Sequence, residues 1–391
     1  MKKRDINSSR VPLYRDSGFE LHDASTTAGT FSAEQNNPHE PEMYIYSRYR
    51  NPTVVAAEEA IMKVEHSEWA LLTASGMAAI DVSLSLFQEG KDTAPWLFLS
   101  EIYGGTISYI ETVLRKKRGL DIHMFTPGGG GYDLGKLEEV ISKLKPSVLY
   151  AETVSNPLLV VSDIPAMGKI AARHNCKLIV DNTFASAYLF RPLEHGASIV
   201  IHSATKYLGG HGNITAGVIC GNDPGLLKAA IEYRKLAGHI ISPDDAYRLT
   251  TQLKTFELRF RKQCSNAQML AGIFTSSPLI ERVFFPELST HATHNIASAI
   301  LKDGLGGAML TIDFGGKDGD QKRSRRDQFI KAVSGHIRLI PTLGDPETIL
   351  MPVEAVWGVK YPEPGMIRIS AGFEDSDELK AVVMEALSMI R

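Results

Sequence analysis

Residues 177–212 read KLIVDNTFASAYLFRPLEHGASIVIHSATKYLGGHG, and two apolar runs within them decide the fold. LIV at 178–180 and SIVI at 198–201 are rich in β-branched residues and too short for helices. Each stops abruptly at polar residues, Asp181 in one case and Ser203, Thr205 and Lys206 in the other. Such runs read as strands buried on both faces of a sheet.

The same unit recurs toward the N terminus. WALLTASG (69–76), WLFLSEIYGG (96–105), LDIHMF (120–125) and SVLYAETVSNP (147–157) read as strands running into loops. Helical patterns lie between them: VVAAEEAIMKVE (54–65), GMAAIDVSLSLF (76–87), TISYIETVLRKK (106–117), DLGKLEEVISKL (133–144) and IPAMGKIAARHN (164–175). TAGVICG (215–221) reads as a further strand. Strands alternating with helices predict an α/β fold, a mostly parallel central sheet with helices on both faces. Ligands of such sheets gather at the carboxyl ends of the strands.

Beyond residue 222 the pattern changes. GLLKAAIEYRKL (225–236) and residues 245–274 read as long helices, and AMLTIDF and MIRISAGF as strands of a smaller C-terminal α+β domain. The expected division is an arm over 1–50, a large domain over 51–247 and a small one over 248–391. The arm is polar, shows little helical periodicity and has no core of its own, so it is expected to pack on something else, a second subunit being one candidate. KDGDQKRSRRD (317–327) reads as a solvated loop entering a helix.

The 391 residues are 43% hydrophobic and 22% charged, with a net charge of −3. That balance describes a globular chain with no general attraction to nucleic acid or anionic lipid. MKKRD at the start lacks an apolar stretch behind it, and no apolar run approaches a membrane span. The three cysteines have no metal-ligand spacing, and His291 and His294 lack an acidic partner set, so no metal is expected. A cytoplasmic protein acting on small molecules and assembling with copies of itself is the expectation.

Three loops carry chemistry. Ser203 and Thr205 could cradle a phosphate while the Lys206 amine reaches a carbonyl carbon, provided burial lowers its pKa; the alternative is a surface lysine beside a Gly-rich turn. Asp181 ends an apolar run and needs a cation, which a protonated pyridine nitrogen would supply; a helix cap or a structural ion pair is the alternative. Ser75, Gly76 and Met77 open a helix whose amides could face an anion, as at many Ser-Gly helix starts.

YSRYRNPT (46–53), SGMAA (75–79), YGGT (103–106), VDNTF (180–184), SATKYLGGHG (203–212) and IRISAGFED (367–375) stand in this order. In this the chain resembles the Cys/Met-metabolism pyridoxal-phosphate (PLP) enzymes over nearly its whole length from about residue 40. That group includes cystathionine γ-synthase, the cystathionine lyases, methionine γ-lyase and the O-acylhomoserine sulfhydrylases. The resemblance implies PLP fold type I, the aspartate-aminotransferase-like architecture, with the cofactor joined to Lys206 as a Schiff base. It implies that Tyr46 and Arg48 reach the cofactor phosphate of a neighbouring subunit, giving at least a dimer and in the family a tetramer. It further implies that Tyr103 stacks on the ring and assists the leaving group, that Asn156 and Thr183 belong to the cofactor site, and that Asn156, Thr342 and Arg368 meet the substrate, Arg368 by its carboxylate.

The expected activity is C–S lysis by γ-elimination; the alternative is γ-replacement on an activated homoserine. Some positions depart from the family. Thr342 stands where Ser is common, MPVEAVWG (351–358) replaces a His-containing stretch, and the loop after it is short. Pro341 replaces an acid of some cystathionine lyases. Gly105 replaces the Cys of methionine γ-lyases, and Arg234-Lys235 their Lys-Asp pair, whereas GHGNITAG (210–217) is closer to their version.

Overall fold

The computed structural model describes residues 11–21, 23–36, 44–88 and 94–391. Strands β1 (Trp69–Thr73), β2 (Trp96–Leu99), β3 (Ile122–Phe125), β4 (Val148–Glu152), β5 (Lys177–Asp181), β6 (Ile199–His202) and β7 (Gly217–Gly221) form one sheet in the order β1-β7-β6-β5-β4-β2-β3. Strands β2 to β6 pair in parallel, and β7 runs antiparallel to both β6 and β1. Helices occupy the connections up to β6, the β6–β7 connection being turns alone, and the buried strand residues form one continuous apolar core with them. This is the mostly parallel, helix-covered sheet that the alternation predicts.

A second sheet has the strand order β10-β11-β12-β9-β8, with β8 (Ile280–Phe284), β9 (Met309–Phe314), β10 (Arg338–Leu339), β11 (Ile349–Pro352) and β12 (Met366–Ser370). It has its own core against the helices Phe256–Thr275, Gly319–Val333 and Ser376–Ser388. Its central strand β12 carries Arg368.

Four expectations change. The run 245–274 is not one helix: Pro243–Gln252 and Phe256–Thr275 are separated by a 3₁₀ turn at Leu253–Thr255. The break lets Arg259 donate to the Tyr207, Leu208 and Gln252 carbonyls at 3.1, 3.2 and 3.0 Å, clasping the chain just after Lys206. Residues 317–327 are mostly helix, which begins at Gly319 because the Asp318 carboxylate accepts the Gln321 N–H. The arm contains a helix, Ala24–Asn36, whose sequence has no apolar stripe to announce it. Part of the arm packs on its own chain: the Thr53 hydroxyl accepts from Tyr14 N at 2.9 Å, and Arg15 pairs with Asp244 at 2.7 Å. Residues 1–10, 22 and 37–43 of the arm lie outside the described residues.

Candidate functional site

A cavity of about 270 Å³ opens where the loops after β1, β2, β4, β5 and β6 converge, at the carboxyl ends of the parallel strands, and the second sheet closes it from above with residues 341–343 and Arg368. Ser75, Gly76, Met77, Tyr103, Asn156, Asp181, Thr183, Ser203, Thr205, Lys206, Thr342 and Arg368 all line it, so every expected site residue except Tyr46 and Arg48 is gathered in one place.

At one end stand the loops after β1 and β6. The Ser75 hydroxyl caps the helix Gly76–Ser85 by accepting from Ala78 N at 3.1 Å, and this leaves the Gly76 and Met77 amides at the helix start. A Cβ on Gly76 would stand 2.9 Å from Ser203 Cβ, so glycine is what lets the two loops close into a cup. The Thr205 hydroxyl exchanges hydrogen bonds with the Ala216 backbone, which ties the cup to the start of β7.

Asp181 sits mid-cavity. Its Oδ1 accepts from Thr183 N at 3.0 Å and Thr183 Oγ1 at 2.6 Å, and Thr183 Oγ1 in turn accepts from Ser203 N. No Lys or Arg of the described residues is among the groups that act on this carboxylate, His202 being the one that attracts it. Burial raises its pKa, against the pull of the Thr183 bonds. Glu152, beside it in the β4–β5 register, is held well above the usual carboxylate range by burial and then by Asp181. Glu152 accepts the Tyr103 N–H at 2.5 Å and so fixes the turn that presents Tyr103. Tyr103 itself is 49% exposed, and its ring lies over Gly105, where a Cβ would fall 2.4 Å from Cε1.

At the other end, Lys206 Nζ donates to Thr342 Oγ1 at 2.7 Å, and Arg368 Nη2 donates to the carbonyl of the same Thr342 at 2.7 Å. Arg368 Nη1 reaches Asn156 Oδ1 at 3.3 Å, while its buried Nε has no partner. Burial, and then the nearby Arg368 charge, bring the Lys206 pKa down to about 8; burial brings Arg368 down to about 10. The 341–344 turn is pressed on Lys206: a Cβ on Gly344, at φ +83°, would meet the Lys206 carbonyl carbon at 2.9 Å.

Tyr46 and Arg48 are elsewhere. The Arg48 guanidinium lies over the Tyr46 and Tyr49 rings and donates to the Lys235 carbonyl at 2.9 Å. Arg234 is buried between Glu58 and the Leu72 carbonyl, so the Arg234-Lys235 departure belongs to the packing of this region and does not line the cavity. Lys206 and Arg368 are the cations of the lining; Lys206 lies on the loop after β6 but its amine is engaged by Thr342, and Arg368 comes from the second sheet. The residues fit PLP: a bare-amide cup with hydroxyls for a phosphate, a cation-free buried carboxylate for a pyridinium, a desolvated amine for an aldehyde. Sequence reading missed Glu152 and Arg259. Glu152 ends an apolar strand just as Asp181 does, a signal that could have found it; Arg259 shows none.

A sequence model of the Cys/Met metabolism PLP-dependent enzymes matches residues 1–388. The chain is 32% identical to an L-methionine γ-lyase of Fusobacterium nucleatum subsp. polymorphum, over 97% of this chain and 93% of the relative. It is 31% identical to a cystathionine β-lyase of Lactococcus lactis subsp. cremoris, over 96% and 93%. Among solved structures, a cystathionine γ-lyase of Lactobacillus plantarum complexed with L-serine superposes with a TM-score of 0.84 at 28% identity, covering 97% of this chain and 93% of that one.

Proposed function

The chain belongs to the Cys/Met-metabolism PLP-dependent enzymes, and from that premise we propose that it is a carbon–sulfur lyase, eliminating the γ-substituent of a sulfur amino acid such as methionine or cystathionine. The observation that carries the reading is Thr342. Its hydroxyl holds the Lys206 amine and its carbonyl holds the Arg368 guanidinium, each at 2.7 Å. An amino acid whose carboxylate sits on Arg368 therefore brings its Cα to Lys206.

PLP, when bound, supplies the electron sink conjugated to the substrate amino group. The rest falls to the protein. Lys206 would tether the cofactor; freed by the substrate amine, its own amine would take the proton from Cα, pass that proton on to the bound cofactor, and so regain the lone pair that takes the next proton from Cβ. Arg368, backed by Asn156, holds the carboxylate through charge-assisted bonds. Asp181 keeps a proton on the ring nitrogen, and Thr183 keeps Asp181 in place. Tyr103, at the mouth, gives a proton to the departing sulfur. Ser75, Gly76, Met77, Ser203 and Thr205 hold the phosphate. Among the described residues the two cations of the lining, Lys206 and Arg368, are both engaged at Thr342, which supports Tyr46 and Arg48 of a neighbouring copy as the counter-charge of the cup and a dimer or tetramer as the working unit. We take residues 51–247 as the cofactor-binding domain and 248–391 as the domain that delivers the clamp. Three buried free thiols suit a reducing compartment such as the cytoplasm.

The test is a substrate panel of methionine, cystathionine, cysteine and O-acetyl- or O-succinylhomoserine, with and without an added thiol, repeated on dilution. Oxo-acid release from methionine or cystathionine without added thiol is expected, with activity per chain falling as the assembly dissociates. Turnover of the acylhomoserines alone, dependent on thiol, would assign γ-replacement instead. Full activity in a monomer would remove the role of Tyr46 and Arg48.

The Lys206 pKa makes a separate prediction. Only the neutral amine attacks an aldehyde, so the rate at which the cofactor-free protein captures PLP should rise as pH rises through about 8 and then level off. Stopped-flow absorbance measures it; a rate flat from pH 6.5 to 9.5, roughly, sets the idea aside.

A further inference from the structure

The stretch 351–358, one of the departures read from the sequence, places Trp357 against Arg368. The guanidinium carbon stands 5.5 Å from the centroid of the indole ring, within the range of a cation–π contact. Arg368 is 5% exposed, its Nε lacks a partner, and its two recorded acceptors, Asn156 Oδ1 and the Thr342 carbonyl, are both neutral. A buried guanidinium held by two hydrogen bonds still needs its plane fixed if it is to meet a carboxylate with two parallel bonds.

The segment that carries the ring is itself tied down at both ends. Glu354 pairs with Arg323 at 2.8 Å and Arg326 at 3.1 Å, fastening it to the helix Gly319–Val333. At its far end Lys360 Nζ donates to the Ser100 carbonyl at 3.0 Å, and the Tyr361 hydroxyl donates to Glu101, two residues before Tyr103. Between these anchors Trp357 packs on Val353, Tyr361 and Met366. The ring is thus held from both sheets, and held over the clamp.

We propose that Trp357 is a positioning residue for the substrate carboxylate: its ring face fixes the plane of the Arg368 guanidinium, so that the substituted stretch 351–358 tunes affinity for α-amino acids. The proposal rests on Arg368 being the carboxylate clamp. Its test compares the wild-type holoenzyme with W357L, which keeps apolar bulk without a ring face, W357F, which restores one, and R368A. Calorimetric titration with butyrate, a carboxylate with no amine to react, reads the clamp without turnover. Steady-state kinetics on the amino acid turned over fastest supplies kcat and KM.

W357L should weaken butyrate about tenfold, equivalent to about 1.4 kcal/mol, and raise KM similarly with kcat within about threefold. W357F should recover most of the loss, and R368A should abolish butyrate binding. Butyrate binding in W357L within about threefold of wild type, with R368A inactive toward butyrate, would overturn the role of Trp357 and leave the clamp standing. Parallel loss of kcat and affinity in W357L that W357F does not recover would mean a structural role and would also overturn it. Unchanged butyrate binding in R368A would remove the clamp reading, and this inference with it.

Discussion

Lys206→Ala is expected to leave a folded protein with no visible cofactor band and turnover lower by on the order of 10³-fold or more. In the proposed mechanism the amine that tethers the cofactor and the base that takes the α-proton are one atom. Nothing nearby replaces it. Arg368, the other cation of the cavity, stays protonated and has no acceptor to offer. Folding should survive, because the loop around position 206 is held by backbone contacts: Arg259 grips the Tyr207 and Leu208 carbonyls, and Gly344 closes on it from the other side. Removing a partly desolvated amine also removes the cost of burying it. Absorbance spectra, turnover and thermal unfolding of the purified variant check all three statements. A variant that keeps both its colour and its rate would sink the assignment.

The second large effect is expected from Asp181→Asn, with kcat lower by about 10²-fold and cofactor held more weakly. Asparagine keeps the oxygen that accepts from Thr183, so the shape of the site should persist. What goes is charge. A protonated ring nitrogen in a cavity this buried would be left without its counter-ion, and breaking one side of a buried pair costs roughly 3–5 kcal/mol. The nitrogen loses its proton instead, and with it the ring's ability to accept electrons. Cofactor titration and kcat on the reconstituted variant measure both parts; a kcat within about threefold of wild type would return Asp181 to a purely structural role.

Much of this was legible because buried strands and their abrupt ends are local signals. LIVD and IVIHSATK each announce a strand by apolar β-branched residues, and each ends where water-loving atoms must find a partner. Asp181 and Lys206 were readable from that rule. Glu152 obeys it too, at the end of LYAE. The Asp318 cap, with Gln321 three residues on, was likewise a readable helix start. Other features have no local signature. The turn at Leu253–Thr255 contains neither Gly nor Pro; it goes with the bonds of Arg259 to carbonyls some fifty residues earlier in the chain, which no local pattern announces. The meeting of Trp357 with Arg368 depends on how two anchors, Glu354 and Tyr361, hold a short segment across the cavity. The helix Ala24–Asn36 has no apolar face for periodicity to detect.

The antiparallel strand β7 has a consequence for how the chain is made. Strand β1 has a single neighbour in its sheet, and that neighbour is β7: Trp69 pairs with Gly221 and Thr73 with Gly217. During synthesis β1 emerges early and then waits, its ladder unfilled, while every other strand of the sheet is translated. Closing so long a loop is slow and leaves an open edge meanwhile. The loop bearing Ser75 and Gly76 hangs from that waiting strand, and Gly217 must slide against it, since a Cβ there would stand 2.1 Å from the Ser75 carbonyl oxygen. The proposed phosphate cup is therefore a late product of folding, and a nascent chain with that cup formed is one whose first sheet is already complete.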